Sequence, residues 1–299
     1  MNALYQTIDI SKQAVHRYAI KEQAHEEKLR VLIREVEDLR KEHPGCGVEK
    51  MYYTLSPDFI GRDKFIEEFM GLGFRLKHKK NYRRTTYAAN VYYPNLIKGM
   101  EIKAPNIIWQ TDITYIEVER KFYYAVFIID VYTKEIVGYS ISDHMRATAN
   151  VKAMSMAIKT HGAPRIHHSD RGSQYIYKDY IALLKRNGIT ISMALTAQDN
   201  AYAERINQTI KKEYLDYWDI RTFVELKRSI KKAVENYNTQ RIHNHLERRI
   251  PERFRKFVLT LTEKDRPTEI IYSEGNDKKM TIKQLKQNRI INPKTVNLI

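Results

Sequence analysis

The chain has one cysteine, Cys46, so an internal disulfide framework and a cysteine-rich zinc site are both excluded. It has no apolar run near the ~18 residues that a membrane span needs. Its first residues, MNALYQTIDISKQ, lack the basic-then-apolar layout of a secretory leader. With 42% hydrophobic residues, wholesale disorder is not expected. These absences lead us to expect a cytoplasmic protein with its own core and no membrane partner.

Acidic residues are also scarce relative to basic ones. The net charge is +16 over 299 residues, which calls for a polyanionic partner. The imbalance is uneven. Residues 1–100 carry 18 Lys and Arg against 13 Asp and Glu, residues 101–220 carry 15 against 14, and residues 221–299 carry 19 against 9. Basic flanks fit phosphate contact, which is driven by counterion release. A near-neutral middle that still places acids at chosen positions fits a metal-dependent site.

Five segments are predicted. Residues 1–85 form an all-helical, DNA-binding region. Two short helices within 4–20, with Ser11 capping the second, outline a helix-turn-helix. Leu29, Leu32, Ile33, Val36 and Leu39 mark an amphipathic helix over 21–41. VEKMYYTL and GRDKFIEEFMGLG give two more. The run FRLKHKKNYRR interleaves aromatics with Lys77, Lys79, Lys80, Arg83 and Arg84, and has no acid, as a nucleic-acid contact would. Residues 86–100 read as a linker.

Over residues 101–220 the texture changes to β-branched and aromatic runs. The order β-β-β-α-β-α-β-α predicts an α/β mixed-sheet core flanked by helices. Its last helix is expected to run from NAYAER to YLDYW, with Asp199 or Asn200 as cap. Residues 221–256 read as a basic helical C-terminal part, broken near YNTQRIHNHLERRIP. Residues 257–299 read as a basic tail, in which TEIIYSEG and MTIKQL are candidate short strands.

Three acids stand out in this core. Asp112 lies mid-strand in IIWQTDITY, and alternation puts Gln110, Asp112 and Thr114 on one face. A carboxylate on a central strand is costly unless paired or metal-bound. Asp170 ends the predicted strand in PRIHHSD, where Gly172 lets the chain turn away. Glu204 opens a helix. Three hard-oxygen donors suit Mg²⁺, and two such ions can hold the attacking and leaving oxygens of a phosphodiester in line. Asp112 is the natural carboxylate to bridge them. Among the other acids, Asp130 is read as a turn or hydrogen-bonding residue. His167 is expected to pack, whereas His168 could approach a substrate.

The blocks WQTDITYI, HSDRGSQY and DNAYAERINQTIKKEYL resemble the three catalytic blocks of the DDE transposases and retroviral-type integrases. More narrowly they resemble the OrfB-type transposases of the bacterial insertion-sequence family numbered three. HPGCGVEKMYYTL and NYNTQRIHNHLERRIPERF extend that resemblance to residues 25–256. It implies an RNase H-like core and Asp112, Asp170 and Glu204 as the catalytic, metal-binding triad, with two Mg²⁺ ions per active site or Mn²⁺ in their place. The implied activity is cleavage and strand transfer at insertion-sequence ends. The implied partners are double-stranded DNA (terminal inverted repeats and target), further copies of the chain on that DNA, and a fused or separate N-terminal helix-turn-helix protein, in a bacterial, nucleoid-associated setting. Gln174 and Asn200 match positions near substrate. Glu204, Gln208 and Lys211 share a helix face. His168 and Arg171 complete the DNA-binding candidates. The alternative is an inactive DNA-binding regulator or partner subunit. It draws on one departure: 33 residues separate Asp170 from Glu204, where the family usually has about 35.

Overall fold

The computed structural model describes residues 11–76, 93–144 and 146–272. The chain divides into a unit over Met1–Asn81 and a second over Tyr82–Ile299. Lys77, Lys79, Lys80, Arg83, Arg84, the stretch before Ser11 and the predicted strand MTIKQL lie outside the described residues. No helix among the described residues is long and apolar enough to cross a membrane.

The first unit holds three helices: α1 (Lys12–Glu42), α2 (Val48–Leu55) and α3 (Arg62–Gly71). Ser11 caps α1 by accepting from Ala14 N. The expected break between a short helix and the 21–41 helix is absent. No glycine or proline interrupts Lys12–Glu42, so nothing ends the helix before Pro44. The first helix and the turn of the expected helix-turn-helix over 4–20 lie outside the described residues; its second helix, capped by Ser11, runs on to Glu42. Leu32 and Val36 are buried against Met51, Phe65 and Phe69. The apolar stripe of α1 is thus the core of its own unit.

The second unit is built on a five-stranded mixed sheet. It comprises β2 (Ile108–Val118), β3 (Lys121–Asp130), β4 (Ile136–Ser142), β5 (Ile166–Ser169) and β6 (Thr190–Met193), in the order β4-β3-β2-β5-β6. The first three strands form an antiparallel meander; β5 runs parallel to β2, and β6 parallel to β5. The β2–β3 turn puts Glu119 (φ 47°) and Arg120 (φ 64°) in the left-handed region, as a two-residue hairpin requires. The helices are α4 (Thr148–His161), α5 (Lys178–Arg186), α6 (Ala201–Glu213), α7 (Phe223–Thr239) and α8 (Pro251–Thr260). α6 and α7 cover one sheet face, over Ile116, Tyr123, Ala125 and Phe127. α4 and α5 cover the other, over Trp109, Val126 and Ile128. This is the α/β mixed-sheet core flanked by helices expected from the order of elements, as the RNase H-like core implied by the resemblance also requires.

One detail departs from expectation. α6 ends at Glu213, not near Trp218. Tyr214 and Leu215 turn into the core, and the chain continues as a 3-10 turn over Leu215–Tyr217. The candidate strand in TEIIYSEG is real but short: β7 (Glu269–Ile270) pairs with β1 (Glu101–Ile102).

Candidate active site

Parallel pairing sets Thr111 beside Ser169 at the end of the β2–β5 ladder. Asp112 and Asp170 therefore emerge next to each other on adjacent strands, which lie ~4.8 Å apart. This is the carboxyl end of β5, where open α/β sheets commonly place ligands.

Polar ties then lay α6 along β2. Gln110 Nε2 donates to Asp199 O (3.3 Å), and Asn200 Nδ2 to Thr111 O (3.0 Å). Asn207 Nδ2 donates to Asp112 Oδ2 (2.8 Å), and Lys211 Nζ to Thr114 Oγ1 (3.1 Å). The loop before α6 is fixed by Asp199, whose carboxylate accepts from Leu195 N and Thr196 N, both at 2.9 Å. Thr196 is the N-cap of the 3-10 turn Ala197–Asn200 and Asp199 its capping-box partner, while Asn200 occupies the N-cap position of α6. Glu204, in the first turn of α6, is carried to the two aspartates by this anchoring.

The electrostatics record that proximity. Burial first, then the negative charge of Asp170, pushes the Asp112 carboxyl up to about 7, with Glu204 adding to the shift. The Ile113 N–H (2.9 Å) and the Asn207 amide partly offset it. Burial and the charge of Asp170 also raise Glu204. Asp170 is raised by burial, against the Gly172 N–H that its Oδ1 accepts at 3.0 Å. Three carboxylates that resist ionising together are a site short of positive charge. Their all-oxygen donor set fits a hard divalent cation, and their hydrogen bonds leave lone pairs free. As the side chains stand, no three His, Cys, Asp or Glu among the described residues are gathered closely enough to hold an ion.

The remaining sequence candidates separate. Gln208 is exposed and Lys211 half-buried on α6; Arg171 and Gln174 are partly exposed in the loop after Asp170. His168 is fully buried, with Nδ1 2.8 Å from Ser192 Oγ, and burial lowers it to about 4. No part of its side chain is open to solvent. His167 is equally buried, 2.9 Å from Tyr180 Oη. Asn200 is 2% exposed and holds α6 onto β2.

Gly172 has an ordinary φ of −63°, so its role is not the turn. A Cβ there would stand 2.9 Å from Gln174 Oε1 and 3.0 Å from Asp170 Oδ1. Space beside the acid, and not backbone freedom, requires the glycine. Sequence reasoning missed Asn207, although it lies one turn after Glu204 on the same helix. It also missed Tyr272, whose Oη accepts from Gln110 Nε2 at 2.7 Å. No local pattern links residues 162 positions apart.

Comparison with known proteins follows the same outline. Two family models described as "Integrase core domain" match residues 103–198 and 187–251. The "Insertion element IS600 uncharacterized 31 kDa protein" of Shigella sonnei is 33% identical over 220 residues, covering 70% of this chain and 81% of that one. The "Transposase for insertion sequence element IS904" of Lactococcus lactis is 31% identical over 257 residues, covering 81% and 99%. Among solved structures, the HTLV-2 integrase catalytic core domain in complex with magnesium has 21% identity and a TM-score of 0.43, covering 51% of this chain and 97% of that one.

Proposed function

The chain belongs to the IS3-type transposases of bacterial insertion sequences, and from that premise we propose that Asp112, Asp170 and Glu204 form the active site with which it cuts and joins DNA strands. One observation carries this reading. Asp112 on β2 and Asp170, the residue after β5, directly follow the last pair of two parallel neighbouring strands, and α6, tied to β2, carries Glu204 on the same side.

The reaction is an in-line displacement at phosphorus. A hydroxyl oxygen forms a new P–O bond as the old one breaks, and the leaving 3′ oxygen takes the electron pair. When bound, two Mg²⁺ ions, or Mn²⁺ in their place, supply charge neutralisation and a more acidic attacking hydroxyl. Asp112, Asp170 and Glu204 would hold them. The chain's other residues prepare that set. Asn207 fixes which way the Asp112 carboxylate faces. The loop closed by Asp199 fixes where α6 begins. Gln208 and Arg171 offer hydrogen bonds to DNA at the rim, and Lys211 is held at Thr114 with a cation near the acids. Two element ends must be joined, so several copies act together on DNA, at the bacterial nucleoid.

The test is strand transfer by purified protein on a labelled element end, in Mg²⁺, Mn²⁺ or EDTA, wild type beside Asp170→Asn. Metal-dependent joining that disappears in the variant is the expected result. A wild type that binds the end and never joins it under any metal, with an N-terminal partner added, would sink the reading.

A further inference from the structure

Several exposed cations among the described residues have a carboxylate close by. Lys41 meets Asp38 at 2.7 Å, Arg62 meets Asp63 at 2.6 Å, Arg221 meets Asp219 at 2.6 Å, and Lys256 meets Glu252 at 2.6 Å. α7 is different. Leu226, Ile230, Ala233, Val234 and Tyr237 bury its inner face. Its outer face presents Lys227, Arg228 and Lys231, all exposed and, among the described residues, in no ion pair. Lys232 is exposed beside them. The acids of the helix stand near its two ends. Glu225 is taken up in capping, accepting from Arg221 N (2.9 Å) and Thr222 N (3.1 Å), and Glu235 lies beyond the cluster.

Aromatic rings hold part of this charge in place. Lys227 Nζ sits 4.1 Å from the centre of the Phe223 ring. Phe223 stacks on Tyr123 at 4.7 Å and 10°, and Lys121 Nζ lies 5.4 Å from the Tyr123 ring. Cation–π contacts of this kind fix a long side chain without neutralising it. Beside them is a cavity of about 180 Å³, whose lining includes Ser140, Ser142, His144, Lys152 and Lys227. Its one carboxylate, Asp143, is 4.0 Å from His144. Hydroxyls, ammonium groups and the start of α4 at Thr148 suit a phosphate oxygen.

The surface also lies on the correct side of the sheet. Asp112 pairs with Phe127 and Ile116 with Tyr123, so Asp112 and Tyr123 share the face that α6 and α7 cover. Asp112 and Ile116 are separated by roughly 13 Å of strand. One turn of duplex is ~34 Å long.

We propose that the outer face of α7, with Lys121 and Lys152 at its edge, is a ledge that grips the phosphates of duplex DNA engaged at the acidic site, without regard to sequence. It rests on the transposase reading and adds where the duplex is held.

The test is equilibrium binding of fluorescent duplexes by the full-length chain in EDTA, so that no strand is cut, over a range of NaCl. The variant is K227Q/R228Q/K231Q. The comparison variant, K178Q/K185Q/R186Q, removes three exposed cations from α5 on the opposite sheet face. Each lost phosphate contact lowers the slope of log K against log salt by about 0.9. The α7 variant should therefore lose between about 2 and 3 in slope, and about 10- to 100-fold in affinity near 0.1 M salt. The loss should be the same for element ends and unrelated duplexes. The α5 variant should lose less than about 1. Adding K152Q to the α7 variant should remove close to one unit more. Equal slopes for the two triple variants would overturn the ledge and leave the transposase reading standing. A wild type with no salt-dependent duplex binding would remove both.

Discussion

Two aspartates on paired strands show how one residue type is put to opposite uses. Asp130 ends β3 and is fully buried. Its carboxylate accepts from Asn106 N (2.6 Å), Tyr132 N (3.0 Å), Thr133 N (2.9 Å) and Trp109 Nε1 (3.2 Å). Four donors satisfy the charge, and the group closes the turn between β3 and β4. Asp112, mid-strand on β2, accepts from its neighbour's amide and from Asn207, and faces two further acids. A carboxylate filled with donors is structural. One left among carboxylates suits the divalent cation that we propose the three acids hold.

The largest expected effects separate the two. Asp112→Asn should abolish strand joining, by at least ~10³-fold, as removal of a group acting on the transition state does. At pH 8 the metal-free variant should unfold at higher urea than wild type, because the mutual repulsion is gone. Asp130→Ala should do the reverse. Its buried donors lose their acceptor, at a cost on the order of 3–5 kcal/mol in urea unfolding. Joining by the protein that remains folded should stay within about tenfold. If Asp130→Ala and Asp112→Asn shift stability in the same direction, the distinction fails.

The next effect is on pH. The folded Asp112 carboxyl sits near 7, above its ordinary 3.8. Its contribution to the stability of metal-free protein is present at low pH and is lost as pH rises through about 7. His168 has the opposite sign. Its folded value, about 4, lies below the ordinary 6.5, so its contribution is present above 6.5 and lost as pH falls towards 4. Between about 4 and 6.5 the two slopes oppose each other, so urea midpoints of the metal-free wild type should be nearly level there, and Asp112→Asn should uncover the rise that His168 contributes. At limiting Mg²⁺, joining should drop as pH falls below about 7. A rate unchanged between pH 6 and 8 would contradict this assignment.

A smaller effect is expected at Gly172. Its added methyl in Gly172→Ala would meet Asp170 and Gln174, so one must move. Joining should fall about 10- to 100-fold with little change in urea midpoint, since a misplaced reacting group is costly without being unfolding. Loss of stability instead of rate would place the glycine in the fold alone.

The strands were legible because period-two alternation is local: Trp109 and Ile113 on one face, Gln110, Asp112 and Thr114 on the other. The acids were legible because a charge inside such a pattern contradicts it. His168 misled for the same reason. Alternation gave it a face but could not say that Ser192, on the next strand, would cover it. Asn200 was ambiguous because its proximity to Glu204 reads equally as substrate contact or as a latch onto Thr111. The start of α1 was legible because Ser11 is a local cap signal, whereas its continuation through residue 20 shows only as the absence of a breaker.

The smallest effect tests whether the site reaches beyond the residues that the family models match, which end at 251. Gln110 is fully buried two residues before Asp112, on the same face. Its amide nitrogen has one short partner, Tyr272 Oη at 2.7 Å, and one long one, Asp199 O at 3.3 Å. Tyr272 also stands against Tyr202 of α6, ring centres 5.6 Å apart. Removing the hydroxyl in Tyr272→Phe keeps the ring and strips Gln110 of its better acceptor. The expected loss is ~1 kcal/mol in urea unfolding. Joining at saturating DNA should slow a few-fold with DNA affinity unchanged, because α6 starts less firmly on β2. Gln110→Leu should cost a similar amount, and the double variant should cost less than the sum, since both changes remove one contact. Additive losses would mean that Tyr272 and Gln110 act apart, and that the C-terminal segment packs on the catalytic unit without positioning it.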